Sequence, residues 1–191
     1  MWFRLQEVLP KLNAFKDRWK DVPKANGICP FPERRPRDWH KEFKWDAVRF
    51  ANKVYAVFDA YYQNNQDLIV WMDADTVCHS PISYEKFESF FKPRTWLSYL
   101  GRAHKWPECG FYGIRKSVPG GNEFIAEFKR VYDDADNGIF RMEEWHDSFV
   151  FDHVIQEFKK ENIKIKNISG RGFATDHPFI HSGLEEFFDH L

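Results

Sequence analysis

The sequence has little cysteine, and what it has is scattered. Cys29, Cys78 and Cys109 are odd in number, widely spaced, and form no CxxC pair. A reduced, intracellular and so cytoplasmic protein is the simplest reading. Charge of one sign is also lacking. The formal net charge of -1 removes any broad electrostatic case for a nucleic-acid partner. No apolar run is long enough for a transmembrane segment. The start, MWFRLQEVLPKL, carries a charge inside its apolar stretch and has no small-residue cleavage site, so a signal peptide is not expected. Without a secretory context, the NIS sequon at Asn167 carries little meaning. There is no internal repeat, no GxGxxG and no GxxxxGK[ST]. A nucleotide-binding α/β domain normally opens on a strand, a loop and a helix. This chain opens on a helical pattern, so either its nucleotide site is built differently or its beginning is missing.

Aromatic side chains, by contrast, are abundant at 18 % of 191 residues. Most are expected in a core, because large rings bury much area each. The length fits one domain over residues 1–191, with 1–42 as an N-terminal helix and Pro-rich loop and 43–191 as the main body. Apolar spacing predicts an amphipathic helix from Trp2 to Trp19, which Pro10 could kink. Trp45, Val48, Tyr55, Phe58 and Tyr62 mark a second, strong helix. DLIVWMD reads as a short buried strand, and PISYEKFESFF as a short helix. TWLSYLG and CGFYGIRK read as strands around a loop, RAHKWPE. Two further helices, over NEFIAEFKRVYDD and EEWHDSFVFDHVIQEFKKEN, and a strand at IKIKNIS complete an α/β pattern of a sheet flanked by helices. The tail GLEEFFDHL stops in mid-helix or mid-motif.

The apolar run Leu68–Met72 ends in Asp73-Ala74-Asp75. A polar turn explains one Asp easily. Two adjacent carboxylates repel, however, and a cation offsets that best. In α/β folds, ligands also gather at the carboxyl ends of strands. DxD could hold Mg²⁺ or Mn²⁺ bridging a nucleotide-sugar diphosphate. Alternatively, DADTV matches the DxDx[TV] of haloacid dehalogenase-like phosphatases, whose first Asp attacks phosphate. That enzyme needs a second acidic pair at another strand end. The only late Asp-Asp pair, Asp133-Asp134, follows a helical run.

The segments KWDAVRFANKVYAVFDA, DLIVWMDADTV, YLGR…ECGFYG, EEWHDSFVFD and HPFIHSGLEEFFDHL run in order from about Phe43 to the end. With them the chain resembles a GT-A glycosyltransferase, and more narrowly a group of phage, algal-virus and bacterial nucleotide-diphospho-sugar transferases. The resemblance implies a GT-A Rossmann-like mixed sheet, a divalent ion, a nucleoside-diphosphate sugar as donor, and a glycan or other hydroxyl acceptor. Such families usually begin with strands that hold the nucleotide base, and usually continue past DHL with Lys and Gly. The expectation is therefore a fragment lacking its first strands and its tail. A non-catalytic remnant that binds sugar or a partner is a third reading.

Roles follow residue by residue. Asp75 is expected on the metal, and Asp73 on it through water or nearer the donor sugar or ribose. His190 is the third-ligand candidate, against a helix-end histidine that complements the helix dipole. Arg49 and Lys53, four apart on one helix face, could share a donor diphosphate, unless Asp46 already neutralises that face. Asp147 reads either as a helix N-cap or as the general base facing the acceptor hydroxyl. Glu108 is the other candidate base or an acceptor-binding group, with Gly110 beside it allowing close backbone approach. His146 could serve the site or the cap. Trp106, Phe111 and Tyr112 could stack on sugar or pack in the core. His177 and His181 could help the metal or simply lie in a surface loop. Cys109 has no histidine partner in its motif and reads as a small buried thiol.

Overall fold

The computed structural model describes residues 9–31, 41–160, 164–170 and 177–190. These fall into two compact units, one from 1–65 with 125–150, the other from 66–124 with 151–191. The architecture is α/β, with a mixed four-stranded sheet and helices.

In the first unit, helix α1 (Pro10–Trp19) packs on helix α2 (Ala47–Gln63). Of the helix expected from Trp2, the part from Pro10 is described. Residues 1–8 lie outside the described residues, and Leu9 is already non-helical at φ -117°, ψ 82°. The residue before a proline is biased out of the helical region, and proline suits a first turn, where its missing N–H would have no partner. Pro10 thus sits at the first position of the described helix. Rings fill the interior: Phe15 lies 6.0 Å from both Tyr55 and Tyr132, and Phe58 lies 5.4 Å from Phe128. The Lys24 ammonium sits 4.1 Å from the Trp45 ring and 3.9 Å from that of Trp145. Such a two-ring seat stabilises a cation by the rings' negative faces. The Asp133 carboxylate accepts from Lys11 at 2.6 Å, from the Tyr55 hydroxyl at 3.2 Å, and from Lys129. Asp133 is therefore an anchor within the helical packing.

The second unit holds the sheet, in the order β1 (Leu68–Met72), β4 (Lys105–Arg115), β3 (Leu97–Arg102), β5 (Ile165–Asn167). The β1–β4 and β3–β4 pairs are antiparallel, and β3–β5 is parallel. Among the described residues no strand precedes Leu68. Two expectations change. The apolar run of β1 suggested a strand buried on both faces, yet β1 ends the sheet and only Ile69 in it is buried. Leu68, Val70 and Met72 are apolar because one face covers a cluster that includes Phe91, Phe111, Phe179 and Phe188. RAHKWPE is also not a loop. Arg102 pairs with Lys105 across a two-residue turn, with His104 at φ 57°, and β4 runs on from there.

Helix α3 (Tyr84–Ser89) is capped by Ser83, whose hydroxyl accepts from the Lys86 N–H. Helices α4 (Gly121–Asp133) and α5 (Asp147–Lys159) carry the chain from one unit to the other. Asn167, the sequon residue, is committed to the backbone: Oδ1 accepts from Gly101 at 2.9 Å and Nδ2 donates to the Gly170 carbonyl at 2.6 Å. All three cysteines are thiols. No helix among the described residues is long and apolar enough to cross a membrane.

Gly113 marks the tightest point of this core. A Cβ there would meet the buried Phe91 ring at 2.3 Å. Overpacking of this kind costs about 1–3 kcal/mol. Gly113→Ala should therefore lower the unfolding free energy by that amount, seen as a lower denaturant midpoint at unchanged slope; an unaltered midpoint would show that the ring has room to move.

Candidate metal centre

The DxD residues sit where β1 stops. Asp73 N–H still donates to the Gly110 carbonyl at 2.8 Å, continuing the β1–β4 ladder, and Thr76 N–H donates back to the Asp73 carbonyl at 3.1 Å, closing a turn. Strand β2 (Thr76–Cys78) then pairs with β6 (Phe188–His190), with Thr76 opposite His190. This small ladder carries His190 beside the turn. His190 Nε2 lies 3.4 Å from Asp75 Oδ1. His190 is thus a strand residue, and the alternative of a helix-end histidine does not hold. Trp71 Nε1 donates to Asp73 Oδ1 at 2.6 Å and fixes that carboxylate. Asp73, Asp75 and His190 each offer one ligand atom, all within 4.8 Å of one another. That donor set fits a divalent ion: two hard oxygens and one imidazole.

Beside it stands a second group, Glu108, His177 and His190, whose ligand atoms also lie within 4.8 Å of one another. The register of β4 against β3 shifts between Tyr99 and Leu100, so Tyr112 faces Tyr99 while Glu108 faces Leu100. Irregularities of this kind re-aim side chains next to sites. Glu108 accepts from the Gly110 N–H at 3.0 Å and pairs with Arg102. Both its oxygens are therefore engaged. A Cβ at Gly110 would lie 3.2 Å from Glu108 Oε1 and 3.5 Å from Asp73 Oδ2, so the glycine leaves the floor of the centre open. The His177 ring stacks on that of His190 at 4.4 Å and 21°. Burial first, then the neighbouring His190 and Arg102, push His177 down to about 4, while Asp75 pulls the other way. The imidazole is neutral near pH 7, and its Nδ1 accepts from the Phe179 N–H at 3.4 Å.

Arg49, Lys53 and Asp147 belong to the other unit. Lys53 Nζ lies 2.8 Å from Asp147 Oδ2, with both side chains largely buried. Arg49 Nε lies 3.3 Å from Asp46 Oδ2, the neutralising contact that the i, i+3 spacing allows. The cap of α5 is made by His146: its Nδ1 accepts from the Phe149 N–H at 3.3 Å. Its Nε2 lies 2.8 Å from Glu144 Oε2, which Lys44 also meets through Oε1 at 3.0 Å. A neutral ring protonated on Nε2 satisfies both partners.

Of the remaining sequence candidates, Phe111, Tyr112 and Cys109 are buried, as core residues are, whereas Trp106 is 37 % exposed. His181 ends the 3-10 turn Pro178–His181 and belongs to neither ligand group. Arg102 and Trp71 were missed by sequence reasoning. Each orients a site carboxylate, but nothing local to their segments marks them for it. No protein-family model matches the chain, and no curated protein or solved structure compared with it matches either.

Burial lowers the proton affinity of His146, opposed by Glu144 and Asp147. The unfolded chain takes up this proton below the ordinary histidine value of about 6.5, whereas the fold resists it. Its contribution is therefore complete above that value and is lost as pH falls below it. The melting temperature should drop between about pH 7.5 and pH 5.5, and His146→Asn, which keeps a capping side chain, should flatten the slope. Equal slopes in the two proteins would refute this account.

Proposed function

We propose that the chain is a metal-dependent glycosyltransferase of GT-A type, moving a sugar from a nucleoside-diphosphate donor to an acceptor hydroxyl. One observation supports this most: Asp73, Asp75 and His190 converge at a strand end, each with a ligand atom within 4.8 Å of the others. Mn²⁺ or Mg²⁺ would be held there, supplying positive charge to the departing diphosphate. The single imidazole suits Mn²⁺ better.

Each side chain then has a task. Asp75 and His190 hold the ion directly. Asp73, steadied by Trp71, meets it directly or through water and faces the donor. Glu108 is held in one orientation beside the centre by Arg102 and by the Gly110 N–H.

Mn²⁺ with the right member of a panel of nucleoside-diphosphate sugars should raise the melting temperature, by the equivalent of about 2.7 kcal/mol at a hundredfold excess over Kd. Asp75→Asn should remove the shift. If no donor shifts the melt, and a phosphatase activity appears that Asp73→Asn abolishes, the DADTV segment is the nucleophile of a phosphatase instead.

A further inference from the structure

We infer that Glu108, His177 and His190 form a second cation seat, selective for zinc, which competes with the Asp73–Asp75 seat for His190. The three ligand atoms lie within 4.8 Å of one another. His177 Nε2 is 3.8 Å from Glu108 Oε2, room for an ion between them. The nitrogen is buried and has no hydrogen-bond partner, so an ion would give it one. Two imidazoles and one carboxylate make the ligand set of open zinc sites, with a fourth position left to water. Imidazole favours zinc over magnesium and manganese, while the two-carboxylate seat next door favours the harder ions. Arg102 orients the Glu108 carboxylate, as outer partners of metal ligands commonly do. Loading moves the His177 proton from Nε2 to Nδ1 and gives up the long 3.4 Å bond from the Phe179 N–H.

A neutral imidazole carries one nitrogen lone pair, its other nitrogen holding the proton, so His190 cannot complete both seats at once. Zinc would then displace manganese without touching Asp73 or Asp75. This antagonism rests on the manganese reading above, but the zinc seat does not.

The test uses zinc alone, titrated into the chelator-treated chain against a chromophoric chelator, with manganese binding followed separately by the paramagnetic signal of the free ion. One zinc per chain is expected. His177→Gln and Glu108→Gln should each weaken zinc by about tenfold or more, since even outer partners account for 10–100-fold, and both should keep manganese. Asp75→Asn should lose manganese and keep zinc, and His190→Gln should lose both. Zinc affinity that ignores His177→Gln and Glu108→Gln, or that vanishes with Asp75→Asn, overturns the seat. If zinc follows the expected pattern while manganese fails to bind the unaltered chain, the seat stands and the transferase reading falls. Should a variant lose its cooperative melt, cobalt in the unaltered chain decides. An intense visible band marks the four-coordinate seat, and a weak one overturns it.

Discussion

The ladder between Thr76–Cys78 and Phe188–His190 is the contact on which the candidate centre depends. Without it, Asp73 and Asp75 would be two carboxylates at the end of a sheet strand, with no nitrogen ligand. The ladder has only three residue pairs. Isolated two-stranded pairings are marginal in water, so this one must lean on packing. Phe188 supplies that: it is buried in the same aromatic cluster as Phe111 and Phe179. The sheet core and the candidate centre are therefore built together. The same β4 strand that sends Phe111 into the cluster sends Gly110 and Glu108 to the centre.

The electrostatics of the centre follow from this geometry. Three carboxyl groups, Asp73, Asp75 and Glu108, converge with one guanidinium, Arg102, and two imidazoles. Arg102 pairs with Glu108 alone. Asp73 has the Trp71 N–H, which brings no charge, and Asp75 has His190. Like charges held close need a counter-charge. Protonating His177 is a poor way to provide it, because that imidazole is pushed down to about 4. A divalent cation, as proposed above, would provide it. The Lys53–Asp147 pair in the other unit is the reverse case, a carboxylate already balanced by a buried ammonium. There the pairing can be purely structural, and only activity measurements give it a chemical role.

Much of the helical content was legible in the sequence, because helix signals are local. The spacing of Trp45, Val48, Tyr55, Phe58 and Tyr62 predicts a helix where Ala47–Gln63 forms one, as does the pattern over NEFIAEFKRVYDD for α4. The strand ending in DADT was legible as well, from its length and its polar boundary. What escaped were features set by partners distant in sequence. GLEEFFDHL has no strand alternation long enough to register, and its last residues extend only because β2 is there to pair with them. The turn at Ala103-His104 hid in a charged segment, which took with it the first residues of β4 and the role of Arg102.

The candidate site shows the same division. The residue types were readable: a DxD at a strand end, a glutamate before a glycine, late histidines. Their grouping was not. His177 was one loop histidine among several, and only the fold stacks it on His190 and turns its Nε2 toward Glu108. A carboxylate proposed as a base turns out to hold an arginine and a backbone N–H, and a histidine left aside becomes a ligand candidate. Ligand identity follows from side-chain chemistry, but which ligands share an ion follows from register. One shift in β4 and one three-residue ladder decide that here, and neither writes a local pattern into the sequence.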